Sequence, residues 1–213
     1  MTDQQTDMNK GVAVVAYIIS DVFSPILMPT YGMAVALWLT MMHYLPLAVR
    51  LKALAGIFGI TALIPFLFIF AMIKIGRIND VSISDRAQRP APYCVSVACY
   101  VGAAFFLVAM HAPLWLPAFY FGAAVVSLLS LLITHWWKIS AHAGAVGGLA
   151  AGVYWLACNG LLINAPLWIS VIFLLVGLLA WSRLYLGRHT LMQVFAGAML
   201  GFGTVFLIMY LIS

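Results

Sequence analysis

The sequence predicts an all-α protein, a polytopic transmembrane helical bundle with six or seven spans, and three observations carry that prediction. Of the 213 residues, 66% are hydrophobic and 7% are charged, against roughly 25% charge in a soluble domain. The mean hydropathy is +1.12. The few charges are also unevenly spaced: Pro90 to Trp137, Ile139 to Ser182 and His189 to Ser213 contain no Asp, Glu, Lys or Arg. A hydrocarbon core of about 30 Å needs about 20 apolar residues per helix. The two longest uncharged runs, 48 and 44 residues, are therefore each sized for two crossings and a turn. Disordered, coiled-coil and soluble-enzyme classes are excluded, and residues 1–213 read as a single integral membrane domain.

Taken in chain order, the N-terminal tail over residues 1–21 carries one basic residue, Lys10, and a short apolar run, Gly11 to Ile19, followed by Asp21 and Pro25. This pattern predicts a tilted interfacial helix and not a cleaved signal peptide. Apolar length with Pro and Gly punctuation places spans near Val22 to Met42, Ala53 to Ile73, Ala91 to Met110, Ala112 to Thr134, Ala143 to Ile163, Ala165 to Trp181 and Thr190 to Ile212. In the first of these, Pro25 and Pro29 are expected to kink the segment or split it into an interfacial piece and a shorter helix. Gly144, Gly148 and Gly152 recur every four residues, as do Gly197 and Gly201, a spacing that lets two helices pack with their backbones close. Cys94, Cys99 and Cys158 stand inside predicted spans at no metal or redox spacing and read as small apolar fillers.

Two crossings separate residues 74–90 from residues 135–142, and two more separate those from residues 182–189, so all three polar stretches fall on one membrane face. That face collects Lys74, Arg77, Asp80, Asp85, Arg86, Arg89, Lys138, Arg183 and Arg188, with His142 and His189 among them. Arg50 and Lys52 lie opposite, as do His43 and His111, which read as structural. The net charge of +5 thus resides in short connections between apolar runs. It forms no soluble basic patch, and nucleic acid is excluded as a partner.

Each stretch has its own chemistry. The first ends Asp85-Arg86-Ala87-Gln88-Arg89-Pro90, placing Arg89 at a membrane edge where Pro can open a helix. Taken alone, Arg89 reads as a snorkelling or headgroup-binding arginine. The second reads Lys138-Ile139-Ser140-Ala141-His142-Ala143-Gly144. Ser140 is suited to cap a helix whose first amides face an anion, and His142, with Lys138 near, is suited to bind the anion and pass it a proton. The third contains Ser182-Arg183 and Arg188-His189-Thr190-Leu191-Met192-Gln193. His189 and Gln193, four residues apart, share a helix face. A glutamine carbonyl accepting from one ring nitrogen would fix the imidazole tautomer and leave the other as a nucleophile. Together these groups suit phosphate, whose oxygens match the planar fork of arginine. With only five acids in the chain, a metal-dependent mechanism is poorly supplied with ligands, and no metal or cofactor is expected.

These residues resemble the type 2 phosphatidic acid phosphatase superfamily, whose members carry Lys-x6-Arg-Pro, then Pro-Ser-Gly-His, then Ser-Arg-x5-His-x3-Asp. Arg89-Pro90 is similar to the end of the first motif, Ser140-Ala141-His142 to the second, and Ser182-Arg183 with His189 to the third. The resemblance runs from about Asp80 to Gly201 and implies a catalytic core over residues 74–201. It implies His189 as a nucleophile forming a phosphohistidine, His142 as the acid protonating the leaving oxygen, and Arg89, Arg183 and Ser140 as the phosphate cradle. The chain departs from the pattern at three places. Ser82 stands where the family has lysine, with Arg86 or Lys138 as the available substitutes; Ala141 replaces glycine, and Gln193 replaces aspartate.

The expectation that follows is a lipid phosphatase acting on a phospholipid, an isoprenoid diphosphate or a lipid A-type headgroup. The contending expectation is a transporter or lipid-binding scaffold holding an anionic headgroup on the same basic face. Counting Lys10, eight Lys or Arg lie on the motif face and two on the other, which by the positive-inside rule makes the motif face cytoplasmic. The resemblance implies instead a site facing the periplasm or cell exterior.

Overall fold

The computed structural model describes residues 3–79, 83 and 85–213, with the side chains of residues 3–9 and of Arg86 outside the description. Asp80 and Ser82 therefore lie outside the described residues. Eight helices follow one another without a strand among the described residues: α1 (Asp3–Val22), α2 (Met28–Leu39), α3 (Leu47–Lys74), α4 (Pro90–Ala109), α5 (Trp115–Trp136), α6 (Ala141–Cys158), α7 (Ala165–Tyr185) and α8 (Leu191–Ile212). Six of them, α3 to α8, are long and apolar enough to cross a membrane. The protein is a multi-pass helical membrane protein. Its outer surface is correspondingly apolar, with Phe66, Leu67, Phe105, Leu174 and Leu207 all exposed.

The segment Val22 to Met42 is not a seventh long helix. The chain leaves α1, turns through Phe23 to Leu27, and re-enters as the 12-residue α2 with Pro29 in its first turn. At about 1.5 Å per residue, α2 is too short to span the hydrocarbon alone. Pro29 has no amide for the Pro25 carbonyl, which must find another donor inside the bundle, and two tyrosines anchor this stretch. Tyr120 Oη donates to the Pro29 carbonyl at 2.7 Å and Tyr100 Oη to that of Pro25 at 3.4 Å. At its far end, the Leu39 carbonyl accepts from Ile163 N at 2.8 Å in the turn between α6 and α7. In α3, Pro65 lacks the amide that would continue the ladder, and Gly59–Leu63 widens into a π turn just before it.

The central helix is α6: 67% of its most apolar window is buried, against 22% for α8. It packs most extensively on α8, and their contact is backbone to backbone. A Cβ at Gly197 would stand 2.6 Å from the Ser140 carbonyl, and one at Gly201 would collide with the Gly144 carbonyl. Gly147, which the four-residue spacing leaves out, meets the Ala198 backbone as closely, whereas Gly152 faces the Phe119 ring. This seam brings the N-terminal ends of α6 and α8 together, and Ser140 N donates to the Gln193 carbonyl across it at 3.3 Å.

Candidate functional site

Ser140 caps α6: its backbone is extended (φ −86°, ψ 105°) and its Oγ accepts from Ala143 N at 3.3 Å. Gly144 N bonds the Ser140 carbonyl. Helix geometry leaves the amides of Ala141 and His142 as first-turn donors without intrahelical partners. On α8, Thr190 and Gln193 form a capping box. In it, Gln193 Oε1 accepts from Thr190 N at 3.3 Å and lies 3.1 Å from His189 Nδ1. Because an acceptor oxygen faces Nδ1, the proton resides there and the lone pair on Nε2. His189 is 8% exposed. Burial, reinforced by the cations Arg183, Arg89 and Lys138 and opposed by the Gln193 bond, lowers its pKa to about 4. The imidazole is therefore neutral at neutral pH.

The two arginines are buried with it. Arg89, at the N-terminus of α4, donates from Nε to the Ile83 carbonyl at 3.1 Å and from Nη1 to the Ile139 carbonyl at 3.2 Å. Burial pulls its pKa down, and Tyr93 and Asp85 act the other way. Arg183, in the last turn of α7, donates from Nη1 to Ser20 Oγ at 2.6 Å, while its buried Nε has no partner. Lys138 is half-buried and its pKa is lowered, by burial and then by Arg89, Arg183 and Arg188.

One cavity of about 140 Å³ gathers these groups. Its walls include Arg89, Ala141, His142, Arg183 and His189, with Tyr93, Ser96 and Asp21. By comparison, about 10 to 15 Å³ holds a water, so the space admits a group of several heavy atoms. Through Pro25, Tyr93, Ser96 and Ala141 it adjoins a second cavity, of about 70 Å³, walled mostly by apolar groups of α2, α5 and α6. Of the expected site residues, Arg89, Ala141, His142, Arg183 and His189 line the main cavity, Gln193 acts through His189, and Ser140 adjoins as the cap of α6. Lys138 stands outside the wall and contributes through its field, and the Arg86 side chain lies outside the description. His135 is exposed, edge-on to Trp136, and takes no part in the wall.

The N-terminal segment is the part that sequence reading missed. Asp21 lines the cavity, Ser20 holds Arg183, and Ala16 accepts from Ser182 Oγ at 2.7 Å. The only signal in the sequence is the polar pair Ser20-Asp21 closing an apolar run.

The fold and site thus define a multi-pass helical membrane protein with a buried, cationic, histidine-bearing pocket at one end of its bundle. Comparison of the chain with family models, curated proteins and solved structures gave no match.

Proposed function

We propose that the protein is a membrane lipid phosphatase that removes phosphate from a lipid phosphate or isoprenoid diphosphate through a phosphohistidine. The observation that carries this reading is the convergence of His142, His189, Arg89 and Arg183 on one cavity, with His189 held by Gln193 through Nδ1. A pure anion binder has no need of a neutral imidazole presented with Nε2 free.

In the proposed reaction, His189 Nε2 attacks phosphorus. The P–O bond to the lipid breaks, and the leaving oxygen takes a proton from His142, which is imidazolium once the bound phosphate anion offsets the field of Arg183 and Arg89. Water then attacks the phosphohistidine, giving its proton to His142, and inorganic phosphate leaves. Arg89, Arg183, Ser140 and the first amides of α6 bear the charge spread over the phosphoryl oxygens. The unpartnered Nε of Arg183 supports this role, since a buried donor without an acceptor is costly until an anion meets it. The adjoining apolar cavity suits the first carbons of a lipid better than free phosphate does. The site faces the periplasm or cell exterior in this reading, as cysteine labelling of the connections in intact cells would test.

The test is phosphate release by detergent-purified protein from phosphatidic acid, phosphatidylglycerophosphate and undecaprenyl diphosphate, beside His189→Ala. Release by the wild type alone supports the reading, and equal release by both removes the phosphohistidine. A second reading, a non-catalytic binder or transporter of anionic lipid, is favoured by one feature: Gln193 orients His189 without the negative charge that would stabilise an imidazolium. Binding without release from any lipid would select it.

A further inference from the structure

We propose that Ser20 is a positioning residue of this site, which makes α1 one of its walls. The inference rests on the phosphate-binding reading of the cavity.

Arg183 lies in the last turn of α7 on a long stem whose orientation its own helix does not dictate. The partner that fixes it comes from 163 residues away: Ser20 Oγ, buried to 3% exposure, accepts from Nη1 at 2.6 Å. The same turn of α1 holds two more members of the constellation. Ser182 Oγ donates to the Ala16 carbonyl, and the imidazole of His142 meets the backbone of Ser20. One turn of one helix therefore touches Ser182, Arg183 and His142, which arrive on α7 and α6. With Nη1 engaged, Nε remains as the buried, unpartnered donor of a guanidinium that lines the cavity. Ser20 thus spends one edge of the fork to hold the other ready, and preorganised donors are what a transferring phosphoryl group requires. Asp21 beside it is the acid whose field acts on Arg183, in a cavity where Arg89 and Arg183 are the cationic lining residues.

The experiment uses the full chain in detergent with Ser20→Ala, Ser20→Thr and Ser20→Val, the last two matched in volume and differing in the hydroxyl. Ser170→Ala, on the surface of α7 with its Oγ on the Pro166 carbonyl, serves as control. Two readouts are taken: kcat and KM on a lipid phosphate, and the affinity for inorganic phosphate by calorimetry. Ser20→Ala and Ser20→Val are expected to lower kcat by about tenfold and to weaken phosphate binding, with Ser20→Thr close to the wild type. Equal behaviour of Ser20→Thr and Ser20→Val, or unchanged values in Ser20→Ala, would overturn the proposal. Should Ser20→Ala fail to fold, the threonine and valine pair still isolates the hydroxyl. A wild type that binds phosphate without hydrolysing any lipid, yet binds it less well as Ser20→Val, ends the phosphatase reading and leaves the role of Ser20 standing. An active wild type indifferent to all three substitutions does the reverse.

Discussion

The two ends of the bundle carry similar residue types and treat them differently. At the end where α2 and α6 finish, His43 closes on itself: its Nδ1 lies 2.8 Å from the Thr40 carbonyl and its ring sits 3.8 Å from that of Tyr44. Arg50 lies over the face of Trp38 at 5.3 Å, and Asn159 Nδ2 donates to the Trp155 carbonyl one turn back. His111 occupies the turn after α4 in a left-handed conformation (φ 54°). His43, His111 and Asn159 serve local turns and caps, and Arg50 stacks on a neighbouring helix. At the other end, the fixed side chains converge on one cavity: Arg183 is held from α1, Arg89 by the Ile83 and Ile139 carbonyls, and His189 by Gln193 one turn on. His189 is tied through Nδ1, and Arg183 through Nη1. The contrast teaches that a histidine or arginine at a helix end acquires chemistry when the fold gathers it with others on a shared cavity, since a buried Nε without a partner occurs at both ends, on Arg50 and on Arg183.

Substitution of the histidines breaks the comparison most sharply. His189→Ala is expected to lower kcat for lipid phosphate hydrolysis by at least about 10³-fold, because it removes the nucleophile. His43→Ala should leave kcat within about twofold, and steady-state phosphate release checks both. Next in size is Arg183→Lys, which replaces a fork with a point charge and should lower kcat/KM by more than about tenfold. Arg50→Lys, at the opposite end, should leave kcat/KM unchanged.

The glycine seam tests how the open end is assembled. Gly201→Ala forces a Cβ into the Gly144 carbonyl and is expected to cost about 1–3 kcal/mol, read as a lower Tm in detergent. Gly203→Ala, with no heavy atom within 4 Å of its added Cβ, should be neutral or slightly stabilising.

The smallest expected effect is that of pH on stability. In the folded protein His189 has its pKa pushed down to about 4 by burial, with Arg183, Arg89 and Lys138 close by, against about 6.5 when unfolded. Its contribution is therefore fully present above about pH 6.5 and is lost as pH falls toward 4. Between pH 7 and pH 5 the wild type should lose about 1–2 kcal/mol that His189→Gln does not lose, measured as the difference in Tm shift between the two proteins.

Much of the bundle was legible beforehand. The uncharged runs set the long helices, and the one-face placement of the polar stretches followed from counting crossings. The cap at Ser140 and the His189–Gln193 pair were readable because each depends on residues within one helical turn. The segment Val22 to Met42 was legible only as a choice, since Pro25 and Pro29 allow a kink or a break. The fold takes the break, with Tyr100 on the Pro25 carbonyl that Pro29 leaves without an amide and Tyr120 anchoring Pro29 itself. The glycine seam was readable as a tendency, but its register was not: Gly147 carries a closest approach that the four-residue spacing assigns to its neighbours.

The sequence by itself determined an all-helical membrane protein and the set of polar residues available at one face, because bilayer thickness and helix periodicity act locally along the chain. Tertiary structure alone decided which atoms of those residues are engaged and which are open. The Ser20–Arg183, Ser182–Ala16 and Arg89–Ile139 bonds join residues 163, 166 and 50 positions apart. No local pattern encodes such pairings, since they depend on how helices dock once each has already formed.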